Sequence, residues 1–226
     1  MNTARDTALW QAFPLAFRFL SLAFLEAPTR TFIKQITDSN LLDDWPLQTD
    51  DPDMGHGFAL MTSFLHSWTS EQIDALDQDY TRLFIGLERT LAPPYESVWL
   101  SRDHILFEKE TLAVRKTYTQ YGLTAPQYGV PDDHIGYELH FVSHLCELIV
   151  DAWEQEGKDN SSQVQMDLCR FLDTHLSCWI TALTDRVIQH AETDYFKGLA
   201  ILTRSSVKSL EECVHESRAD RDDENT

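Results

Sequence analysis

Apolar side chains recur along most of this chain three or four residues apart, which is the spacing of an α-helix. No segment of useful length alternates apolar and polar residues as a half-buried strand would, and no internal repeat is evident. The pattern therefore predicts an all-α fold, a single-domain helical bundle of about 8–10 helices. The two clearest apolar faces are Ile73, Leu76, Tyr80, Leu83 and Phe84, and Ile135, Leu139, Val142, Leu145, Ile149 and Trp153.

Capping and breaking residues predict where the helices begin and end. Pro14 suits the first turn of a buried helix over Phe13–Leu25. Residues 38–57 are rich in Asp and Pro and contain two glycines, which predicts a loop with at most one helical turn. A capping box at Thr69 and Gln72 begins a further predicted helix, which Gly86 ends. Another begins at Pro131, and the helix over Ser162–His190 is expected to break around His175. The remaining predicted helices are Thr31–Thr37, Thr111–Tyr121 and Asp194–Val214.

The C-terminal segment differs from the rest of the chain in composition. Residues 211–226 hold seven acidic residues and two arginines, with Val214 as their only aliphatic side chain. Such a segment cannot bury enough apolar surface to offset the entropy of ordering it. We therefore expect an all-helical domain over residues 1–210 and a disordered acidic tail over 211–226.

Composition narrows the possible partners. The chain has 226 residues, 42% of them hydrophobic, so a substantial core is expected. Eighteen basic residues against 37 acidic ones give a net charge of −19, which repels a phosphate backbone and attracts basic ligands. A nucleic-acid partner is therefore not expected.

The cysteines and the N-terminus predict a cytoplasmic protein. The four cysteines form no CxxC pair, so free thiols in a reducing compartment are expected. The first residues lack the basic region and cleavage site of a secretory signal. The apolar run near Phe13–Leu25 is broken by Arg18 and is too short to span a bilayer, so no stable membrane insertion is expected.

Two segments carry the candidate chemistry, and the first is Tyr80–Trp99. It runs from an apolar helix end into a turn where two consecutive prolines, Pro93 and Pro94, are followed by Tyr95. Prolines and aromatic rings lose little conformational entropy when a ligand contacts them, so such a turn can form the wall of a hydrophobic groove. The alternative is that these side chains belong to the core.

The second segment opens a helix with Pro131, Asp132, Asp133 and His134. Asp132 can cap the helix, and a further acid in the first turn is favoured by the helix dipole. His134 and Glu138 are one helical turn apart and share a face. Because carboxylates accept guanidinium groups in bidentate geometry, these acids can meet arginines of a partner.

Together, the two segments resemble the TorD/DmsD family of cytoplasmic chaperones, which hold the twin-arginine leader of a molybdenum redox enzyme until its cofactor is in place. The resemblance runs from about Tyr80 to Leu145. Tyrosines at Tyr80 and Tyr95 stand where the family often has tryptophan, so an amphipathic ring is kept. The resemblance implies an all-helical chaperone with no catalytic residues, no cofactor and no metal. It further implies leader-binding residues at Leu83, Phe84, Pro94, Tyr95, Trp99, Pro131, Asp133 and His134. The residue pattern adds Tyr80, on the apolar face with Leu83, and Glu138, on the same face as His134, as candidates for the same site.

The implied partners are the leader and precursor of a molybdenum oxidoreductase. Some members of the family also bind guanine nucleotides weakly, although this chain contains neither a GxxxxGK[ST] nor a GxGxxG motif. The chain is expected to be a monomer or a dimer that exchanges helices between copies.

Two other kinds of protein fit the residues. His140 and His144 lie four residues apart and Glu147 falls one turn further on, a spacing that can ligate zinc or iron, although the HExxH motif is absent. A helical adaptor that contacts a folded partner would also use an acidic surface.

Overall fold

Ten α-helical segments make up most of the described part of the protein, and they confirm the predicted all-α class. The computed structural model describes residues 3–39, 45–47, 51–86, 90–101, 109–126, 129–156 and 161–224. Within these residues the only β-type pairing is an isolated antiparallel bridge between Tyr95 and His134. The helices are α1 (Thr3–Leu25), α2 (Arg30–Asp38), α3 (Pro52–Ser67), α4 (Ile73–Tyr80), α5 (Glu96–Leu100), α6 (Lys109–Gln120), α7 (Ile135–Glu156), α8 (Ser162–Phe171), α9 (Ser177–His190) and α10 (Asp194–Glu224).

Helices α1 and α7 pack along each other at the centre of the bundle. The Ser21 hydroxyl on α1 donates to the Gly136 carbonyl of α7 over 2.7 Å, and the Ser143 hydroxyl of α7 donates to the Pro14 carbonyl over 2.8 Å. These two bonds satisfy buried polar groups between apolar faces. The predicted apolar face of α7 is confirmed, since Ile135, Leu139, Val142, Leu145 and Ile149 are fully buried and Trp153 packs against the core.

Helix α3 packs closely against α10 through two glycines. A Cβ at Gly57 would lie 2.9 Å from Ile201, and a Cβ at Gly198 would lie 2.8 Å from the Gly57 carbonyl oxygen. The prediction of a loop over 38–57 was therefore wrong from Pro52 onward, because α3 covers these residues and Gly57 lets it approach α10 instead of ending a helix. Residues 40–44 and 48–50 of that segment lie outside the described residues.

Several predicted helix ends are confirmed. The Thr69 amide donates to the Gln72 side chain over 2.8 Å, as in a capping box. Gly86 ends the following helix at φ 66°, and Gly122 follows α6 at φ 69°. Around His175 the helix is not broken: a π-helical turn at Leu172–Leu176 joins α8 to α9.

The two terminal helices are longer than predicted. Helix α1 begins at Thr3, so Pro14 lies in its interior and not in its first turn. The resulting stretch Thr7–Leu25 is long and apolar enough to cross a membrane by length and composition, but half of it is buried within the bundle. Helix α10, expected to end near Val214, continues to Glu224, and the division at residue 211 stays a prediction.

Candidate functional site

The structure brings the two sequence segments together through their backbones. The Ile135 amide donates to the Pro94 carbonyl over 2.8 Å, and the Glu96 amide donates to the Asp133 carbonyl over 3.0 Å. Between these bonds, Tyr95 and His134 form the antiparallel bridge, with their ring centroids 5.2 Å apart. The Pro-Pro turn and the start of α7 are therefore one structural unit.

Asp133 holds the beginning of α5. One carboxylate oxygen accepts the Ser97 amide over 2.8 Å, and the other accepts the Thr111 hydroxyl from α6 over 2.8 Å. The side chain is fully buried. Asp133 was predicted to meet an arginine of the partner, but in this structure both of its oxygens are occupied and neither is reachable from solvent.

His134 caps α7. Its Nδ1 accepts the Gly136 amide over 3.0 Å, which places the ring proton on Nε2 and makes the imidazole neutral. Burial lowers the pKa of His134 to about 4. Asp132 was predicted as the helix cap, and that prediction was wrong because α7 begins only at Ile135.

Asp132 instead receives a guanidinium from its own chain. Its Oδ2 accepts Nε of Arg115 over 3.0 Å and Nη2 over 2.7 Å. The Arg115 side chain is 55% exposed, whereas that of Asp132 is 7% exposed. A carboxylate at the edge of the site is thus arranged to bind a guanidinium.

Two buried glutamates lie beneath the bridge. Glu96 accepts a hydrogen bond from Nδ1 of His175 over 3.0 Å, and Glu138 accepts Nε1 of Trp179 over 3.2 Å. Burial, together with the charges of Glu96 and Asp133, raises the pKa of Glu138 well above its usual range. Glu138 is fully buried in this structure, and its role in meeting a partner's arginine stays a prediction.

The first helical part of the predicted groove lies in the core. Tyr80, Leu83 and Phe84 are all at least 93% buried. The Phe84 ring contacts Phe24 and Phe196 at centroid distances of 5.6 and 5.7 Å, and the Tyr80 hydroxyl donates to the Phe24 carbonyl. In this structure these three side chains pack inside the bundle, and their contact with a leader stays a prediction.

Part of the Pro-Pro turn remains accessible. Pro94 and Pro131 are buried, whereas Tyr95 and Trp99 are half-buried and Leu100 is 39% exposed. Trp99 is fixed by its Nε1, which donates to the Pro93 carbonyl over 2.8 Å. We refer to Tyr95, Trp99 and Leu100 as the α5 surface. Leu100 was not predicted, although it directly follows Trp99 in an apolar stretch.

The alternative metal ligands do not converge. The His140 side chain is exposed, and the Glu147 carboxylate pairs with Arg18 instead, with Oε1 lying 3.9 Å from Nη1 of Arg18. In the part of the chain that the structure describes, the three side chains whose ligand atoms do lie within 4.8 Å of one another are Cys169, Asp173 and His215.

The fold and the site define a helical binding protein, and comparisons with known proteins assign its family. A family model described as "Nitrate reductase delta subunit" matches residues 47–185. The Tat proofreading chaperone DmsD of Salmonella typhimurium is 28% identical over 193 residues, covering 85% of this chain and 85% of that protein. The chaperone protein YcdY of Escherichia coli is 29% identical over 176 residues, covering 77% of this chain and 78% of that protein.

A solved structure shares the fold. The crystal structure of a candidate redox enzyme maturation protein from Archaeoglobus fulgidus matches with a TM-score of 0.51 at 20% identity, covering 84% of this chain and 91% of that one. Because the family model matches more than half of the chain, the protein belongs to the nitrate reductase delta subunit family, the family that includes the TorD and DmsD chaperones. The resemblance seen in the sequence is confirmed.

Proposed function

We propose that this protein is a cytoplasmic chaperone that binds the twin-arginine leader of a molybdenum oxidoreductase and assists its maturation before export. The similarity to proteins named Tat proofreading chaperone and chaperone supports a binding role without a catalytic step. The observation that carries the proposal is the bridged unit of the two segments, which leaves Tyr95 and Trp99 half-buried and contains Asp132, a carboxylate that already binds a guanidinium.

The α5 surface is suited to an apolar peptide segment because its support is rigid. Asp133 caps α5, the Trp99 indole is hydrogen-bonded to the turn, and both neighbouring prolines restrict the backbone. Little entropy is then lost at the surface when a peptide docks. Burying about 300 Å² of apolar area would contribute about 7 kcal/mol before association costs.

Asp132 is the acid best placed to recognise an arginine of the leader. It would exchange its bond to Arg115 for a bond to the incoming guanidinium, and the exposed Arg115 side chain would move into solvent. Because one guanidinium replaces another, this exchange contributes selectivity for arginine more than overall affinity. The buried residues of the predicted site would not touch the leader but would stabilise the bridged unit that carries the α5 surface. These residues are Pro94, Pro131, Asp133, His134 and Glu138.

A titration of the purified chain with a fluorescent twin-arginine leader peptide tests the proposal. Trp99→Ala should weaken binding by about tenfold or more while the circular dichroism spectrum is unchanged, since the half-buried ring would lose its contact with the peptide. Met166→Ala, which truncates an exposed apolar side chain on α8, is the matched control and should bind as the parent does.

A second arm separates charge recognition from apolar binding. Asp132→Asn should weaken binding of the twin-arginine peptide more than that of a twin-lysine peptide, because only the guanidinium binds in bidentate geometry. Equal affinities of the parent, Trp99→Ala and Asp132→Asn for the leader would overturn the proposal. Capture of a folded mature domain without its leader would favour the adaptor instead.

Three further predictions belong to the same function. Direct contact of the leader with Tyr80, Leu83 and Phe84 would require the end of α4 and the π-helical turn Thr81–Ile85 to separate from α1 and α10. Weak binding of guanine nucleotides and a dimer formed by exchange of helices are both open to direct measurement, by nucleotide titration and by light scattering.

A further inference from the structure

A cysteine, an aspartate and a histidine meet where α8 turns into α9. Cys169 lies on α8, Asp173 follows one turn later in the π-helical segment, and His215 reaches them from α10. The Cys169 Sγ is 3.6 Å from Asp173 Oδ2, and the His215 Nε2 is 3.8 Å from Asp173 Oδ1. All three ligand atoms lie within 4.8 Å of one another.

These distances suit the edges of a metal coordination tetrahedron. Zinc binds cysteine sulfur at about 2.3 Å and histidine nitrogen or carboxylate oxygen at about 2.0–2.2 Å. In a tetrahedron with such bonds, neighbouring ligand atoms are about 3.3–3.7 Å apart. The separations of 3.6 and 3.8 Å are close to these values, and the third lies within 4.8 Å, so side-chain rotations would complete the geometry.

We propose that Cys169, Asp173 and His215 bind one zinc ion, with water in the fourth position. A thiolate, an imidazole and a carboxylate form a donor set typical of zinc, and of cobalt as its substitute. The Cys169 side chain is buried at the base of the site, while the side chains of Asp173 and His215 are about half exposed, which leaves a path for the ion. The neighbouring Arg170 is directed towards Asp167 and does not compete for Asp173.

Bound zinc would join α10 to the π-helical turn. Asp173 and His215 belong to elements far apart in sequence, and no disulfide bond holds these elements together, because all four cysteines are present as thiols. An ion that binds only the folded chain stabilises it by mass action. Binding also deprotonates the Cys169 thiol, so uptake of the metal should release a proton.

The test uses the full chain, freed of metal with a chelator and titrated with cobalt and then with zinc. The expected result is one equivalent of metal, a near-ultraviolet thiolate-to-cobalt charge-transfer band, and the loss of that band when zinc is added. The melting temperature should rise with the zinc concentration. Absence of stoichiometric binding, or a cobalt spectrum without the charge-transfer band, would overturn the proposal.

Variants assign the ligands. Loss of the outer partners of a metal ligand commonly lowers affinity 10–100-fold, so loss of a ligand should lower it at least about 100-fold. Cys169→Ser and His215→Ala should both show this loss, whereas Cys213→Ser and His140→Gln should bind as the parent does. If Cys169→Ser does not fold, His215→Ala decides alone, because the exposed side chain of His215 adds little to the core. Metal binding that survives His215→Ala would place the ion elsewhere and overturn the assignment.

Discussion

The imidazole of His134 is kept neutral by its position. Its Nδ1 accepts the second amide of α7, and the ring lies between Tyr95 and Tyr137, so a proton on Nδ1 would break the cap and place a charge in a buried site. The protonated imidazole is therefore disfavoured here, and burial lowers the pKa of His134 to about 4. The same residue joins the α5 surface to α7, so its protonation acts on both.

Replacing His134 with asparagine should remove part of the acid sensitivity of the protein. At pH about 8 and above, well above the unfolded pKa of about 6.5, the imidazole is neutral in both the folded and the unfolded chain, and it adds no pH dependence. As the pH falls from 6.5 to about 4, only the unfolded chain takes up the proton, so the free energy of unfolding decreases. The loss amounts to about 3 kcal/mol at the end of this range.

Asparagine can accept the Gly136 amide without titrating, so His134→Asn should keep the helix cap and flatten this part of the stability profile. Urea unfolding at several pH values measures the effect as the difference between parent and variant. His56→Asn, an exposed histidine of α3, is the control and should retain the profile of the parent. Parallel profiles for the parent and His134→Asn would show that the imidazole does not resist protonation.

At the level of single residues, the sequence indicated that the segments of Tyr95 and His134 belong together, but not what the neighbouring acids do. Tyr95 and His134 were both expected at the site, and they form its bridge. The roles of the neighbouring acids could not be predicted, because Asp133 is occupied by groups from Ser97 and Thr111 that lie 36 and 22 residues away in the chain. The hydrogen-bond partners of a carboxylate depend on such tertiary contacts, and the position of the residue in a helical pattern does not reveal these partners.

At the level of helices, the packing of α3 on α10 depends on the absence of a side chain at Gly198. A Cβ there would approach the Gly57 carbonyl oxygen to 2.8 Å and the Met61 amide nitrogen to 3.0 Å. Both are backbone atoms, so relief requires the two helices to move apart. Gly198→Ala should therefore lower the free energy of unfolding by about 1–3 kcal/mol, measured by chemical denaturation.

Gly55→Ala is the matched control, because Gly55 lies on α3 and a methyl group added there would have no atom within 4 Å. There the change should stabilise the protein by about 0.5–1 kcal/mol, since alanine loses less backbone entropy in a helix. If both variants were stabilised alike, the close approach of α3 and α10 would be contradicted.

The same pair of helices explains which elements could be predicted. The periodic apolar faces of α7 and of the segment Ile73–Phe84 were visible in the sequence, and both segments are helical, although the second consists of α4 followed by a π-helical turn at Thr81–Ile85. Gly55 and Gly57 were interpreted as loop residues because glycine lowers helix propensity. At Gly57 that cost is outweighed by contact with α10, which only the tertiary structure reveals.

At the level of the whole molecule, net charge and local chemistry have separate effects on a partner. The charge of −19 acts over distance and attracts any basic peptide, whereas the α5 surface and Asp132 act only on contact. The carboxylates of Asp133 and Glu138 are buried and hydrogen-bonded within the protein, so they add little to contact recognition. Long-range attraction of a basic peptide should therefore increase mainly the association rate constant.

Raising the salt concentration should accordingly slow association of a twin-arginine leader while changing its dissociation little. The Debye length shortens from about 10 Å at 0.1 M to about 3 Å at 1 M, which screens the field but leaves apolar contacts in place. Stopped-flow fluorescence over this range should show an association rate that falls about tenfold, with dissociation changing less than about twofold. A leader with both arginines replaced by glutamine should associate at a rate that depends less on salt. If salt instead accelerated dissociation as strongly as it slowed association, ion pairs formed on contact would dominate the affinity, and the α5 surface would not be its main source.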